Sequence, residues 1–145
     1  FEWKIIVFYL KLQNQKLEMT SEPSPDSLGI AKVIVDTFMR SIGSNNNEAI
    51  NFFGDDGTLF FNGQTITGKS NILSFLDSLP KLSIRVTGYE VQTVPQSNLW
   101  SMVVIIGTSQ IGDDNFKTFH SSAYVEARTS DHKAFIRYFS FASFD

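Results

Sequence analysis

The stretch from residue 57 to residue 80, GTLFFNGQTITGKSNILSFLDSLP, predicts a β-hairpin followed directly by a helix. The hairpin has two short strands, residues 58–62 and 64–67, joined at Asn62-Gly63, because both residues of this dipeptide tolerate the positive φ of a two-residue turn. Pro80 ends the helix because proline has no amide proton to donate. The apolar face that predicts the helix consists of Ile72, Phe75, Leu76 and Leu79.

The same stretch contains the spacing GxxxxGKS, which begins at Gly63 and ends at Lys69 and Ser70 and which cradles phosphates in many nucleotide-binding proteins. We exclude that function for two reasons. Residues 64–67 are mostly β-branched, whereas a phosphate-binding loop needs small, flexible residues. No later apolar strand ends in the aspartate that would hold Mg²⁺. We therefore expect neither a nucleotide nor any other cofactor.

The composition indicates one globular domain. The chain has 145 residues, enough for a hydrophobic core of its own, and it contains 14 phenylalanines. It has no cysteine, so disulfides and thiolate chemistry are excluded. The net charge of −3 gives no broad attraction for phosphate backbones, so we expect no direct binding of nucleic acid.

Residues 1–25 are predicted to be an N-terminal extension of a domain that occupies residues 26–145. The apolar run at residues 5–10 is much shorter than the roughly 20 residues of a membrane span, and no signal-peptide cleavage site follows it, so we expect no membrane anchor. Met19 begins a polar segment typical of an exposed N-terminus. The residues before it are expected to be disordered or to have been added upstream of the natural start; alternatively, they form an extra strand or a partner-binding helix.

Two helices are predicted between this extension and the hairpin. The first begins near Ser27, after Pro23 and Pro25, and ends at Gly43. The second is short, at residues 48–53. Residues 54–57, Gly-Asp-Asp-Gly, are predicted to form a solvated turn rather than a metal site. The apolar face of the first helix consists of Leu28, Ala31, Ile34, Val35, Phe38 and Ile42.

After Pro80 the hydrophobic period changes to two, which predicts four long antiparallel strands joined by tight turns. The first starts at residue 82, and the others span residues 99–111, 116–128 and 133–144, with turns at residues 95–98, 112–115 and 129–132. The apolar positions change phase between Val86 and Tyr89. A bulge is therefore predicted at Gly88, where it would bend the sheet.

These strands are apolar on both faces, although an antiparallel sheet with one wet face should alternate cleanly. Val103 and Ile105 face one way, whereas Trp100, Met102, Val104 and Ile106 face the other. In the last strand Phe135, Phe139 and Phe141 are expected on one side and Ile136, Tyr138 and Ala142 on the other. Because the helices can cover only one face, a second covering body is implied: the N-terminal segment, another copy of the chain, or a different protein.

The order of these elements resembles the nuclear transport factor 2 family over about residues 26–144. The resemblance is carried by TLFFNG (residues 58–63), TGKSNILSFLDSLP (67–80) and VVIIGT (103–108), which are most similar to the small subunits that pair with the large messenger-RNA export receptor. It implies an α+β, cone-shaped fold in which N-terminal helices pack on a curved antiparallel sheet.

The resemblance also implies a function. It implies a non-catalytic accessory subunit that heterodimerises with the similar domain of the export receptor, supports export of messenger RNA and shuttles between nucleus and cytoplasm through the nuclear pore. Contact with nucleoporin Phe-Gly repeats would come through the heterodimer. The family usually has an arginine where this chain has Ser140, and whether Arg137 compensates stays open. The implied partner face consists of Trp100, Met102, Val104, His120, Ser122, Tyr124, Tyr138 and Ser140.

The family leaves one non-catalytic alternative, a homodimeric transport factor that carries Ran-GDP into the nucleus. That branch usually has an acidic residue where this chain has Asn62, which argues against it. Asp113 and Asp114 favour it weakly, because acidic residues in this loop can contact Ran there.

A second alternative is a small isomerase or dehydratase, since the same fold hosts enzymes whose cavity carries an acidic base with a Tyr or His partner. His132 is predicted in a turn and His120 on the partner face, and a rim position is expected for Glu90 and Arg137. No cluster has metal-ligand spacing. We therefore predict no enzyme. The predicted inward positions are all non-titratable: Val103, Ile105, Phe119, Ser121, Ala123, Val125, Phe139 and Phe141.

Overall fold

The computed structural model describes residues 27–94, 100–128 and 133–144. The predicted N-terminal extension, the turns at residues 95–98 and 129–132, and His132 therefore lie outside the described residues. The elements are, in chain order, α1 (Ser27–Ser41), α2 (Asn46–Ala49), a 3-10 turn (Ile50–Phe52), β1 (Phe53–Phe61), β2 (Gln64–Thr67), α3 (Lys69–Ser78), β3 (Leu82–Thr93), β4 (Trp100–Ile111), β5 (Lys117–Arg128) and β6 (Lys133–Phe144). No helix in these ranges is long and apolar enough to cross a membrane.

The α+β architecture is confirmed: helices pack on a curved, open sheet of six strands. The strand order is β2-β1-β6-β5-β4-β3, and α1 packs on one face against β3, β4, β5 and β6. The predicted antiparallel meander from β3 to β6 is present. The whole sheet is mixed, however, because β1 pairs with β6 in parallel. No tight turn joins these two strands, so nothing in the local sequence sets their relative direction.

The predicted hairpin is confirmed. β1 and β2 are antiparallel, with Phe61 opposite Gln64. Asn62 and Gly63 both have positive φ, 45° and 87°, as the two central residues of a type I′ turn require. The Asn62 side chain also ties the turn to the end of β6, because its Oδ1 accepts a hydrogen bond from the Ser143 amide at 2.9 Å. The turn is thus held by both its backbone and a long-range contact.

The prediction of a turn at residues 54–57 is wrong, because these residues belong to β1. The helix predicted at residues 48–53 is displaced as well: α2 begins after Asn45, whose side chain accepts from the Glu48 amide, and Phe53 already pairs with Ile136 in the sheet. Gly57 allows this, since a Cβ there would lie 2.7 Å from the Phe53 ring. The glycines that suggested a turn therefore serve close packing inside an irregular strand.

Two bulges decide which strand residues face α1. In β3 the register shifts between Val86 and Gly88, which confirms the predicted bulge. In β6 a second shift occurs at Arg137, which the sequence analysis did not predict. The faces expected for Phe135 and Ile136 are therefore exchanged: Ile136 is buried against the helices, and Phe135 lies on the other face.

Aromatic rings fill the interior between the helices and the sheet. Phe38 of α1 packs edge-on against Phe139, with centroids 4.7 Å apart. Phe141 stacks between Phe61 and Phe119, at 4.7 and 5.2 Å. All eight predicted inward positions on the meander are buried, as are the described members of the α1 apolar face. The phenylalanine content thus forms the core.

We predict that Gly107→Ala strongly destabilises the protein. A Cβ at this position in β4 would overlap the Arg85 carbonyl oxygen and lie 2.8 Å from the Phe119 ring, so the strand would have to move. Overpacking of this kind should lower the free energy of unfolding by about 3 kcal/mol. Urea unfolding checks this, with Thr118→Ala on the exposed face of β5 as the control; equal stability of the two variants would contradict the prediction.

Candidate functional site

The sheet surface turned away from α1, called here the outer face, carries every residue predicted for partner binding. Met102, Tyr124 and Tyr138 are opposite one another on β4, β5 and β6. The next row is Val104, Ser122 and Ser140. Trp100 and His120 lie at the two ends of the same surface. The fold therefore brings eight residues from three strands together.

Large apolar side chains are exposed on the outer face. Tyr124 is 38% and Tyr138 49% exposed, and their rings contact edge-on with centroids 6.4 Å apart. Ile106 is 48% exposed, and Trp100 is half-buried. A contiguous apolar surface of this kind usually marks a site of protein association.

Small polar residues form the centre of the outer face. The Ser122 amide donates to the Ser140 hydroxyl at 3.2 Å, so Ser140 is tied to the neighbouring strand. The Ser140 side chain is short, whereas the neighbouring outer-face pair, Tyr124 and Tyr138, carries large aromatic rings. A partner side chain could therefore approach the sheet closely at this point.

Two outer-face residues were missing from the predicted site. Phe60 of β1, 40% exposed, lies beside Ser140. The sequence analysis could not place it because the parallel pairing of β1 with β6 has no local signal. Ile106, opposite His120, was assigned to the correct face but left out of the site, although strand alternation was sufficient to include it.

Arg137 lies at the bulge in β6, and the bulge decides its contacts. A regular strand would have turned it away from the outer face; instead its Nε donates to Glu126 Oε2 at 3.0 Å, and Glu126 is opposite Trp100 in the outer-face register. Its Nη1 pairs with Asp56 of β1. The guanidinium is thus held by two carboxylates of its own chain. Arg137 therefore does not place its positive charge beside Ser140, where the family usually has an arginine.

The groups considered for catalysis do not converge. His120 is exposed on the outer face, and Glu90 is exposed on β3, where it accepts a hydrogen bond from Gln92. Among the described residues, no three His, Cys, Asp or Glu side chains are arranged to hold a metal ion. The buried hydroxyls of the inner face have no hydrogen-bond partner in the described part of the chain, so no base is placed to activate them. They are those of Ser101, Ser109 and Ser121.

One polar pair at the margin of the interior was missed. Tyr89 of β3 donates to Asp36 Oδ1 of α1 at 2.8 Å. Burial, reinforced by this hydrogen bond, raises the pKa of Tyr89 far above its ordinary value, so the phenol stays protonated. The sequence did contain a signal for this contact. The bulge at Gly88 shifts the alternation of β3 by one residue and so turns Tyr89 toward the helix.

The residues of the GxxxxGKS spacing form ordinary secondary structure. Gln64–Thr67 are strand β2, so their backbone groups pair with β1 instead of forming a loop. Gly68 is the N-cap residue of α3, and the Lys69 ammonium lies 3.7 Å from an Asp55 carboxylate oxygen. This geometry is that of a hairpin followed by a helix.

Other proteins share the fold of this chain. A model of the nuclear transport factor 2 (NTF2) domain matches residues 30–136. No protein of curated function matches the sequence significantly. The solved structures named below are 10–17% identical to this chain and therefore show the fold alone.

Three of these structures illustrate the range of proteins that share the fold. Nuclear transport factor 2 from Cryptosporidium parvum is 17% identical, with a TM-score of 0.66 over 78% of this chain and 90% of that one. A ketosteroid isomerase-like protein from Erwinia carotovora atroseptica is 14% identical, with a TM-score of 0.66 over 84% and 99%. A chain of the C. albicans complex of Mtr2 with the Mex67 M domain is 10% identical, with a TM-score of 0.62 over 78% and 93%.

We predict that Arg137→Met costs about 2–3 kcal/mol of unfolding free energy. The substitution leaves the carboxylate of Glu126, whose side chain is only 12% exposed, without this cation. The double variant Arg137→Met/Glu126→Gln should recover most of the loss. Lys69→Met is the matched control, since it breaks an exposed pair and should change stability little. Chemical unfolding measures all three; additive losses in the double variant would contradict the coupling.

Proposed function

Since this chain belongs to the nuclear transport factor 2 (NTF2) domain family, we propose that its outer face binds a second NTF2-like domain and that the chain is a non-catalytic accessory subunit. The observation that carries the proposal is the exposure of Tyr124, Tyr138, Ile106 and Phe60 on one continuous surface. A partner that covers these rings removes a large apolar area from water, which is the main driving force for association.

The proposed partner is the NTF2-like domain of the large messenger-RNA export receptor. Two observations support this choice: the motifs around residues 58–80 and 103–108 resemble the small export subunits, and the fold is similar to a chain of the complex of Mtr2 with the Mex67 M domain. In this role the chain supports export of messenger RNA through the nuclear pore and shuttles between nucleus and cytoplasm. Contact with Phe-Gly repeats is made by the heterodimer.

The homodimeric carrier of Ran-GDP is the second candidate. Asp113 and Asp114 favour it, because both are exposed in the turn between β4 and β5. Asn62 argues against it, since its amide is occupied by Ser143, with Asn62 Nδ2 donating to Ser143 Oγ at 3.1 Å. An enzymatic role has less support still, because the interior is filled by aromatic rings and the titratable candidates lie elsewhere.

We predict that the purified chain self-associates when no partner is present. The outer-face rings would otherwise stay in water, and a second copy is the nearest available cover. Light scattering across a concentration series measures this. A stable monomer at high concentration would contradict the proposed interface, and a stoichiometric dimer that does not exchange with the receptor domain would favour the Ran carrier.

We predict that Met102→Asp abolishes binding to the receptor's NTF2-like domain. Met102 lies beside Tyr124 in the middle of the outer face, so an aspartate there would be desolvated without a partner, at a cost of several kcal/mol. Asp at the exposed turn residue Asn115 is the control and should bind as the unmodified chain does. Co-purification and native mass measurement give the readout.

The fold of each variant is checked by its melting temperature. Met102 is half-buried and outside the core, so Met102→Asp should still fold. Unaltered co-purification would overturn the proposed interface. Outright unfolding would place Met102 in the monomer core and would overturn it as well. Asn98 is a second possible control site for the Met102→Asp experiment, but it lies outside the described residues.

A further inference from the structure

A groove runs along the flank of the molecule between the second half of α1 and strand β3, with a cavity volume of about 470 Å³. This flank groove is on the opposite side of the sheet from the outer face, because its β3 residues point toward the helix. The volume falls within the range of roughly 300–1,000 Å³ that is usual for small-molecule sites. The lining residues are Asp36, Met39, Arg40, Ile42, Ser44, Leu82, Ile84, Val86 and Tyr89.

The groove exists because β3 is the last strand of the sheet and α1 does not cover it completely. Ile84 and Val86 face the helix layer but remain only partly buried. The bulge between Val86 and Gly88 returns Tyr89 to the same side, so apolar side chains continue along the whole floor. The aromatic core around Phe141 is a separate, filled region. The flank groove therefore offers apolar surface on Ile84 and Val86 that the described helices leave partly uncovered.

The polar groups of the groove are concentrated at one end. Asp36 is occupied on both oxygens: Oδ1 accepts from Tyr89 at 2.8 Å, and Oδ2 pairs with Arg40 Nη2 at 3.0 Å. Asp36 therefore has little capacity left for a cation. The Arg40 side chain is 76% exposed and, within the described residues, pairs with Asp36 alone, so most of its five N–H donors face solvent.

We propose that the flank groove binds an amphipathic carboxylate of the fatty-acid class. The aliphatic chain lies on the half-buried side chains of Ile84 and Val86, and the carboxylate accepts hydrogen bonds from Arg40, because the planar guanidinium matches the geometry of a carboxylate. Addition of a peptide strand is disfavoured, because the bulge at Thr87 interrupts β3, which is the edge strand of the described sheet. This inference is independent of the proposed partner interface.

The test titrates the full chain with decanoate, decanol and decyltrimethylammonium below their micelle concentrations, by calorimetry. Decanoate should bind most tightly, because only its head group complements Arg40. Within the series hexanoate, octanoate and decanoate, each added CH₂ should tighten binding roughly fourfold until the groove is filled. Equal affinity for the three head groups, or the absence of saturable binding, would overturn the proposal.

Variants separate the flank groove from other surfaces. Arg40→Gln should weaken decanoate binding by about tenfold and leave decanol unchanged, whereas Arg40→Lys should restore part of the loss. Arg85→Gln is the matched control, because Arg85 is exposed on the other side of β3, over the Phe116 ring. Val86→Trp should fill the groove and abolish binding of both ligands. Because Arg40 is exposed, its variants stay informative even if Val86→Trp does not fold.

The outer-face variant Tyr138→Asp distinguishes this site from the proposed partner interface. Decanoate should bind Tyr138→Asp as it binds the unmodified chain, because Tyr138 is on the other face of the sheet. Loss of decanoate binding in that variant, or unchanged decanoate affinity in Arg40→Gln, would overturn the flank-groove assignment. Neither result affects the partner-binding experiment, which uses different residues and a different readout.

Discussion

A six-stranded sheet that is apolar on both faces is covered on one of them by the described helices. α1 crosses β3 to β6, and its buried side chains meet Phe139 and the other inward residues. The opposite face keeps Tyr124, Tyr138 and Ile106 substantially exposed. Burial of apolar surface is the main driving force for both folding and association, so the face that the described helices leave exposed is the face that favours a partner.

Incomplete covering of the sheet by the described helices also accounts for the flank groove. β3 is the last strand in the order of the described sheet, so one neighbouring strand flanks it. Its inward residues Ile84 and Val86 therefore stay half-buried, whereas inward residues of the central strands, such as Ile105, are fully buried. The proposed partner interface and the proposed carboxylate site thus have a common origin but lie on different sides of the sheet.

Charged side chains are placed where they do not disturb these apolar surfaces. Arg137 is held by Glu126 and Asp56 at one end of the outer face, and Asp36 is held by Tyr89 and Arg40 at the mouth of the groove. In both cases a partly buried carboxylate has a cation on its own chain, which limits the cost of desolvation. The interior itself contains aromatic rings and a few hydroxyls, a composition suited to rigidity more than to acid–base chemistry.

Local patterns in the sequence determined much of this protein. Turn chemistry specifies the hairpin at Asn62-Gly63. The periods of 3.6 and 2 specify the apolar face of α1, the antiparallel meander, the bulge at Gly88 and the outer-face positions on β4 and β5. The tertiary structure alone decided the parallel pairing of β1 with β6, which adds Phe60 to the outer face, and the bulge at Arg137, which exchanges Phe135 and Ile136. The first depends on contacts between residues about 80 positions apart, whereas the second depends on the register between β5 and β6. At Gly88 a change in the apolar phase marks the shift in the sequence itself, but Phe135 and Ile136 are both apolar, so at Arg137 only the register of the hydrogen bonds with β5 decides which side chain faces the core.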